Sequence, residues 1–413
     1  MEKGDICIYI NNYGTSNILI PNLADNNPGM GGTQFEMFLL CQLLKERGIP
    51  FTLLLTHPQK TVDNIEYILV KDIDDAFVYC NKHLIKHLIL RANDGLKNLD
   101  ALENTKIIYW IHNFIDYSSA TKIAKSKKVE RVVFVSQEEA DFYYDHDISK
   151  KGVVIFNAIP KVKKEHEQEK ENIVAFIGDI SPYKMLDKLT ALWPRIIRKV
   201  PDAKLLVLGS GDLYGKGKKF GEFGIAEEQY EKKVLKPLIK HKVLDTVIFQ
   251  GLVKNNMSDL ISRAKITVFF NPIETFCIAA TDSIKNKVPV ICPKSTGYCD
   301  VVRKQTGYLF RNKNQALRKI ISVLKNNDKW LIADNDLHYL DNFYSEIFLE
   351  RWLSLFDNLA NQKPPKISHK NNIFVNNKFL VISLRRIRTV FHLPNGFSRI
   401  GIKWYMKKLL KRN

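Results

Sequence analysis

Two series of short apolar runs, with a charged segment between them, constrain this 413-residue chain more than any other feature. In the first series, residues 6–10, 51–55, 88–90, 107–111, 132–135 and 153–155 are rich in Ile, Leu and Val and are separated by helical or polar stretches. Runs that stay apolar without alternating are buried on both faces, and their alternation with helix-length segments predicts a parallel sheet with crossover helices. Residues 161–172, KVKKEHEQEKEN, offer no apolar face and read as a linker. A second series then begins at Ile173 with IVAFIGD and continues through AKLLVLGSGD, TVIFQGLV, ITVFFNPIE and VPVICP. The expectation is an α/β chain with two doubly wound, Rossmann-like domains, 1–160 and 173–344, facing across a cleft at the carboxyl ends of their strands. A helical segment, 345–362, and a tail, 363–413, follow.

The stretch 266–310 concentrates the candidate chemistry. Residues 266–270 read as a buried strand, Asn271-Pro272 stops it, and 277–285 have helical composition. Glu274 falls in the loop and Asp282 on the helix. Were all eight intervening steps helical they would rise roughly 12 Å, at about 1.5 Å each. That approaches the separation of sugar and ribose in a nucleotide-sugar, so two carboxylates are spaced to hold its two ends.

A glutamate, seven residues and a second acid, followed by Pro289-Val290-Ile291 and Thr306-Gly307-Tyr308, resemble the donor-site signature of retaining GT-B glycosyltransferases, close to family 4. The resemblance covers most of residues 1–360. It implies that Glu274 binds sugar hydroxyls, that Asp282 takes the ribose, and that the amides of Phe276, Cys277 and Ile278 lie near the diphosphate, helped by the helix amino end. Asp282 stands where the family usually has Glu, and Cys277 where it usually has Gly. Gly29-Met30-Gly31-Gly32-Thr33-Gln34 opens a helix over 35–47; it lacks the G-x-G-x-x-G order of a dinucleotide site, and in the resembling family it flanks the diphosphate and acceptor. In the segment 174–184, Gly178 and Lys184 match a diphosphate-binding stretch in which Asp179 replaces the family's Arg, with Arg303 or Lys294 as candidates for the missing charge. His112 matches a histidine that approaches the transferred sugar. Ser136, Asn157, Gly209, Gly211 and Asp212 match weaker positions that turn chemistry alone also explains. The resemblance further implies a front-side mechanism in which the departing phosphate assists deprotonation of the acceptor, with no protein nucleophile.

The net charge of +19 is unevenly spread: residues 363–413 carry thirteen Lys or Arg and no acid. Ile402, Tyr405, Met406 and Leu409 fall on one helical face and Lys403, Lys407, Lys408 and Lys411 on the other, with Trp404 at the margin; residues 378–393 repeat the mixture. This predicts a basic amphipathic tail at an anionic bilayer, and nucleic acid is disfavoured because no recognised binding motif accompanies the charge. No apolar run approaches a membrane span, the amino terminus lacks a signal-peptide pattern, and the six cysteines form no C-x-x-C pair. The expected location is cytoplasmic, peripheral on the inner face of a membrane. Asp72-Ile73-Asp74-Asp75 is the nearest approach to a metal-binding D-x-D and lies in an early surface segment, so neither metal nor other cofactor is expected. The expected function is transfer of a sugar from a nucleotide-diphosphate sugar to a membrane-associated glycan or lipid-linked acceptor. A nucleotide-sugar epimerase and a catalytically degenerate nucleotide-sugar-binding protein are the alternatives.

Overall fold

The computed structural model describes residues 5–16, 18–25, 27–61, 64–144, 146–160, 169–211, 219–253, 256–325, 332–365 and 367. The first sheet is built from β1 (Ile6–Ile10), β2 (Thr52–Leu55), β3 (Ile68–Leu69), β4 (His87–Arg91), β5 (Lys106–Ile111), β6 (Val129–Phe134) and β7 (Gly152–Val154). Its helices are α1 (Gly32–Glu46), α2 (Ile73–Lys82), α3 (Tyr117–Lys125) and α4 (Gln137–Phe142). The second sheet comprises β8 (Glu171–Ile177), β9 (Lys204–Leu208), β10 (Val247–Gly251), β11 (Ala264–Val268), β12 (Val290–Pro293) and β13 (Gly307–Phe310). With it go α5 (Leu186–Ile197), α6 (Glu228–Lys240), α7 (Met257–Ser262), α8 (Ile278–Lys285), α9 (Tyr298–Val301), α10 (Lys313–Lys325) and α11 (Ser345–Ala360).

Both sheets are parallel, with orders β3-β2-β1-β4-β5-β6-β7 and β10-β9-β8-β11-β12-β13. Each therefore winds outward in two directions from its first strand, and the crevice of each opens beside β1 and β8. Burial follows the apolar runs: β1 is buried throughout, and α1 buries every residue from Phe35 to Leu44. The edge strand β3 lies outside the apolar series, because its two residues are exposed.

Several boundaries differ from the sequence reading by one to three residues, and three of them bear on the site. The second sheet begins at Glu171, inside the expected linker, because Glu171 N donates to Arg263 O at 2.9 Å and extends the pairing of β8 with β11. Strand β11 ends at Val268, leaving a longer loop before Glu274, and α8 starts at Ile278. Only half of the path from Glu274 to Asp282 is helical.

The chain passes between the domains twice at one place: Ile159 pairs with Tyr344, and Ile159 N donates to Phe343 O at 2.8 Å. Helix α11 then packs on the first domain, with the Trp352 ring 4.7 Å from Trp110 and Glu350 bonded to Arg47 at 2.9 Å. Beyond it, Arg131 Nη2 donates to Lys363 O at 2.6 Å and Ile367 packs among the residues around Phe134. The amphipathic segments expected at 378–393 and 402–410 lie outside the described residues. No helix among the described residues is long and apolar enough to cross a membrane. None of the six cysteines is disulfide-bonded, and all but Cys299 are buried.

Candidate functional site

Strand order brings the candidate residues together. Strand β8 lies beside β11, so the loops leaving their carboxyl ends share one crevice. Lys184 comes from the first loop and Glu274 from the second, and the Lys184 ammonium donates to Glu274 Oε1. Asn271 Nδ2 donates to the same oxygen at 2.9 Å. The Glu274 backbone is held as well, its N–H donating to Thr296 Oγ1 at 3.1 Å and its carbonyl accepting from Gly297 N at 2.8 Å. A carboxylate fixed by backbone and side chain alike is a preorganised acceptor for a ligand hydroxyl.

The next turn of chain is strained. Cys277 caps α8 with φ 72° and ψ 74°, in the left-handed region that glycine occupies without penalty. Burial, and secondarily the Glu274 charge, push its thiol pKa up, so it stays protonated and is no nucleophile. Gly209 has a comparable constraint: at φ 148°, a Cβ there would lie 2.0 Å from the Gly178 carbonyl oxygen. The loops after β8 and β9 approach so closely that only glycine fits.

A cavity of about 720 Å³ opens between the domains. Asp25, Asn27, Gly29, Met30, Gly32 and Pro160 form one wall, and Gly178, Asp179, Gly209, Ser210, Ile278, Asp282 and Lys285 belong to the other. Asn27 shapes the glycine loop, its Oδ1 accepting from Gly29 N at 3.0 Å and Met30 N at 2.8 Å. The Lys285 side chain is 6% exposed; its ammonium donates to Pro160 O at 2.8 Å and pairs with Asp282 Oδ1 at 2.9 Å. Asp282 thus lines the cavity with a cation fixed one helical turn away.

Beside the cavity the domains are stitched together around Thr275. Its Oγ1 donates to His112 O at 2.8 Å, while its own carbonyl accepts from Ser136 Oγ. Ser136 also caps α4, accepting from Glu139 N at 3.1 Å, and Glu138 N donates to Asp300 Oδ2 at 2.6 Å. Phe276 packs edge-on against Phe343 at 5.1 Å. The His112 ring is buried against Trp110 at 4.6 Å with Nε2 unbonded. Burial, reinforced by the Arg91 charge, lowers its pKa to about 3, which keeps the imidazole neutral.

Of the residues singled out from sequence, Gly32, Gly178, Gly209, Ile278 and Asp282 line the cavity. Lys184 and Glu274 meet beside Gly178, whose Cβ position is 3.6 Å from the Lys184 chain. Gly31 instead caps α1, and His112, Phe276 and Cys277 are not among the residues that line the cavity. Neither proposed substitute for the missing arginine lines the cavity: the Arg303 guanidinium lies 5.2 Å over the Tyr339 ring, and Lys294 N donates to Phe310 O. Asp179 does line it, so a buried carboxylate occupies the arginine's place. Asn157 is buried with Oδ1 unbonded, Gly211 N donates to Ile225 O at 2.9 Å, and Asp212 lies outside the described residues. Asp72 caps α2 by accepting from Asp74 N and Asp75 N. Among the described residues no group of three or more His, Cys, Asp or Glu side chains is placed to hold a metal ion. Asp25, Asn27, Ser210, Thr275 and Lys285 were not anticipated. The turn sequence Asn27-Pro28-Gly29 and the Asp282/Lys285 spacing were the available signals for two of them.

Residues 159–336 match the family model for glycosyl transferases group 1. Over 198 residues the chain is 25% identical to trehalose synthase from Pyrococcus horikoshii; the match covers 46% of this chain and 44% of that relative's length. Similar solved structures include sucrose-phosphate synthase from Thermosynechococcus elongatus, with TM-score 0.66, 15% identity, and coverage of 86% of this chain and 99% of that one. HepE from Anabaena, in complex with UDP and glucose, gives 0.63, 12%, 86% and 99%. A TarM variant from S. aureus, in complex with UDP, alpha-GlcNAc-glycerol and Fondaparinux, gives 0.55, 18%, 68% and 58%. At these identities the structural likeness establishes the fold, and the region matched in sequence is the second domain. Residues 159–336 thus match the glycosyl transferases group 1 model, within a two-domain fold of the GT-B type.

Proposed function

We propose that this protein is a retaining glycosyltransferase that moves a hexose from a nucleotide-diphosphate sugar to a glycan or lipid-linked acceptor at a membrane, as in polysaccharide or lipopolysaccharide synthesis. The observation that carries the reading is the meeting of Lys184 with Glu274 at the crevice of the second sheet, beside a cavity that Asp282 lines.

In this reading Glu274 accepts hydrogen bonds from the sugar, Asp282 from the ribose, and the amino end of α8 faces the diphosphate. Lys184 exchanges its carboxylate partner for a phosphate oxygen when donor enters, and stabilises the charge that grows as the nucleotide departs. The acceptor proton goes to the departing phosphate. The protonated Cys277 and the neutral, buried His112 fit a site without a protein nucleophile or an imidazolium acid. Lys285, on the same wall, holds Asp282 in place, and no metal takes part.

The test is a thermal-shift and hydrolysis screen against UDP-, GDP-, ADP-, CMP- and dTDP-sugars, with Glu274→Ala alongside. UDP-sugars come first, because HepE and TarM are described in complex with UDP. A donor that stabilises the protein and is slowly hydrolysed only by the wild type supports the reading. Stabilisation without hydrolysis or transfer to any acceptor supports the degenerate binding protein instead, which the carboxylate of Asp179 in the arginine's place favours. A free epimerised donor supports the epimerase.

The membrane part of the reading rests on the tail. Its first residues are bound to the first domain through Lys363 and Ile367, so the basic segment beyond starts from a fixed point.

A further inference from the structure

We propose that the amino-terminal end of the first sheet is a docking face for an anionic lipid bilayer. This rests on the membrane reading above and assigns part of the contact to folded residues rather than to the tail. Strands β4 to β7 are parallel, so the residues that precede them gather at one end of the sheet, together with the carboxyl ends of α2 and α3. Residues 82–87, 100–106, 122–131 and 147–151 bring ten Lys or Arg to that end. Against them stand Asp5, Asp100, Glu103, Glu130 and Asp147, three of which are already paired: Asp5 with Lys86, Asp147 with Lys150 and Glu130 with His87. The surplus is five, whereas residues 1–362 as a whole carry a surplus of six. Outside the tail, the net charge is concentrated on this face.

The convergence is physical contact as well as topology. The Lys151 ammonium donates to the carbonyls of Ile123, Ser126 and Val129 at 3.2, 2.6 and 2.8 Å, and Lys106 donates to Lys127 O at 3.3 Å. Around this knot Lys86, Lys106, Lys122, Lys125, Lys127 and Lys150 are exposed. Lys122 and Lys125 also offset the negative end of α3, and Lys127 follows its C-cap Ser126, but Lys106 occupies no helix end and has no such local role.

The tail leaves from the same place. Arg131 at the start of β6 holds the Lys363 carbonyl, and Ile367 fills the space that a Cβ on Gly152 would take, next to Lys151. The forty-six residues that follow hold eleven cations and no acid, interspersed with apolar residues. Nucleic acid would take the charge and leave the apolar residues in water; an anionic bilayer accommodates both.

The test is co-sedimentation of the full chain with phosphatidylglycerol-containing vesicles and with pure phosphatidylcholine vesicles. The face variant carries Lys106→Glu, Lys122→Glu, Lys125→Glu and Lys127→Glu. The control carries Lys199→Glu, Lys204→Glu, Lys236→Glu and Lys240→Glu, all exposed on the second domain. The expected result is binding to the anionic vesicles only, weakened about tenfold or more in the face variant and little changed in the control. An unchanged thermal midpoint shows that each variant is folded. Equal losses in the two variants, or none in either, would overturn the docking face and leave the tail as the anchor. Failure of the wild type to sediment would overturn the membrane reading itself. Binding to RNA as strong as to vesicles, lost in the same face variant, would reassign the face to nucleic acid.

Discussion

Lys184 and Glu274, 90 positions apart, share one ion pair because β8 and β11 are neighbours in the second sheet. The pair fixes both side chains beside Gly178, and because Lys184 and Asn271 both engage Oε1, Oε2 is the oxygen of Glu274 left to accept from a ligand hydroxyl.

Glu274→Ala should lower turnover by about 10²- to 10³-fold, the range seen when one preorganised polar contact to a transition state is removed. Folding should be retained, because the loop backbone keeps its bonds through Thr296 and Gly297. Steady-state kinetics with the stabilising donor decides the matter; activity within a few-fold of wild type excludes Glu274 from the site.

Thr275→Val removes the donor to His112 O, the stitch adjacent to Glu274. Loss of one such bond costs about 1 kcal/mol, and up to about 3 where the buried acceptor stays unpaired. The expected result is a tenfold or so fall in kcat with little change in donor KM, and recovery with Thr275→Ser. A Val variant as active as the Ser variant would show that the stitch does not position the carboxylate.

Cys277→Gly and Cys277→Ala both delete the thiol, but only Ala keeps a Cβ at φ 72°. The Gly variant should therefore be more stable than the Ala variant by about 1 kcal/mol, measured by urea unfolding. Equal stabilities would mean that the loop relaxes the strain at no cost.

Glu36 is fully buried on α1, with Oε2 accepting from Ala158 N at 2.9 Å, and burial raises its pKa well above the ordinary carboxylate range. A raised folded pKa contributes stability below the unfolded pKa, and this is lost as pH rises through the folded value. The thermal midpoint of the wild type relative to Glu36→Gln, which keeps an acceptor for Ala158, should therefore fall from acidic toward neutral and alkaline pH, whereas the contribution of His112, with its lowered pKa, runs the other way in both proteins. Glu139, similarly buried with a raised pKa, leaves a residual slope in the variant. Parallel midpoint curves for the two proteins would show that Glu36 is already ionised in the fold.

The parallel sheets were legible because strands covered on both faces must be apolar throughout, as in residues 6–10 and 107–111. Glu274, Asp282 and Lys184 were legible one at a time. What the order of residues does not reveal is which strands lie side by side, and so the contact between Lys184 and Glu274 emerged only from the sheet. Lys285 illustrates the same limit: its spacing from Asp282 can be read along the helix, but its bond to Pro160 depends on how two domains pack. Cys277 could be marked from sequence as standing where the resembling family usually has Gly; that it keeps a left-handed backbone angle while carrying a Cβ is visible only in the fold.

The polarity of β5 has a consequence for the acceptor. Lys106 begins the strand at the basic end, and His112 follows it at the cleft. Six residues at about 3.3 Å each separate the two by roughly 20 Å. With a bilayer beneath Lys106, that strand is a ruler standing on the lipid surface. Under the docking proposed above, a bare lipid-linked primer would fall short of the cleft and a chain already several sugars long would reach it, so that proposal entails elongation rather than initiation.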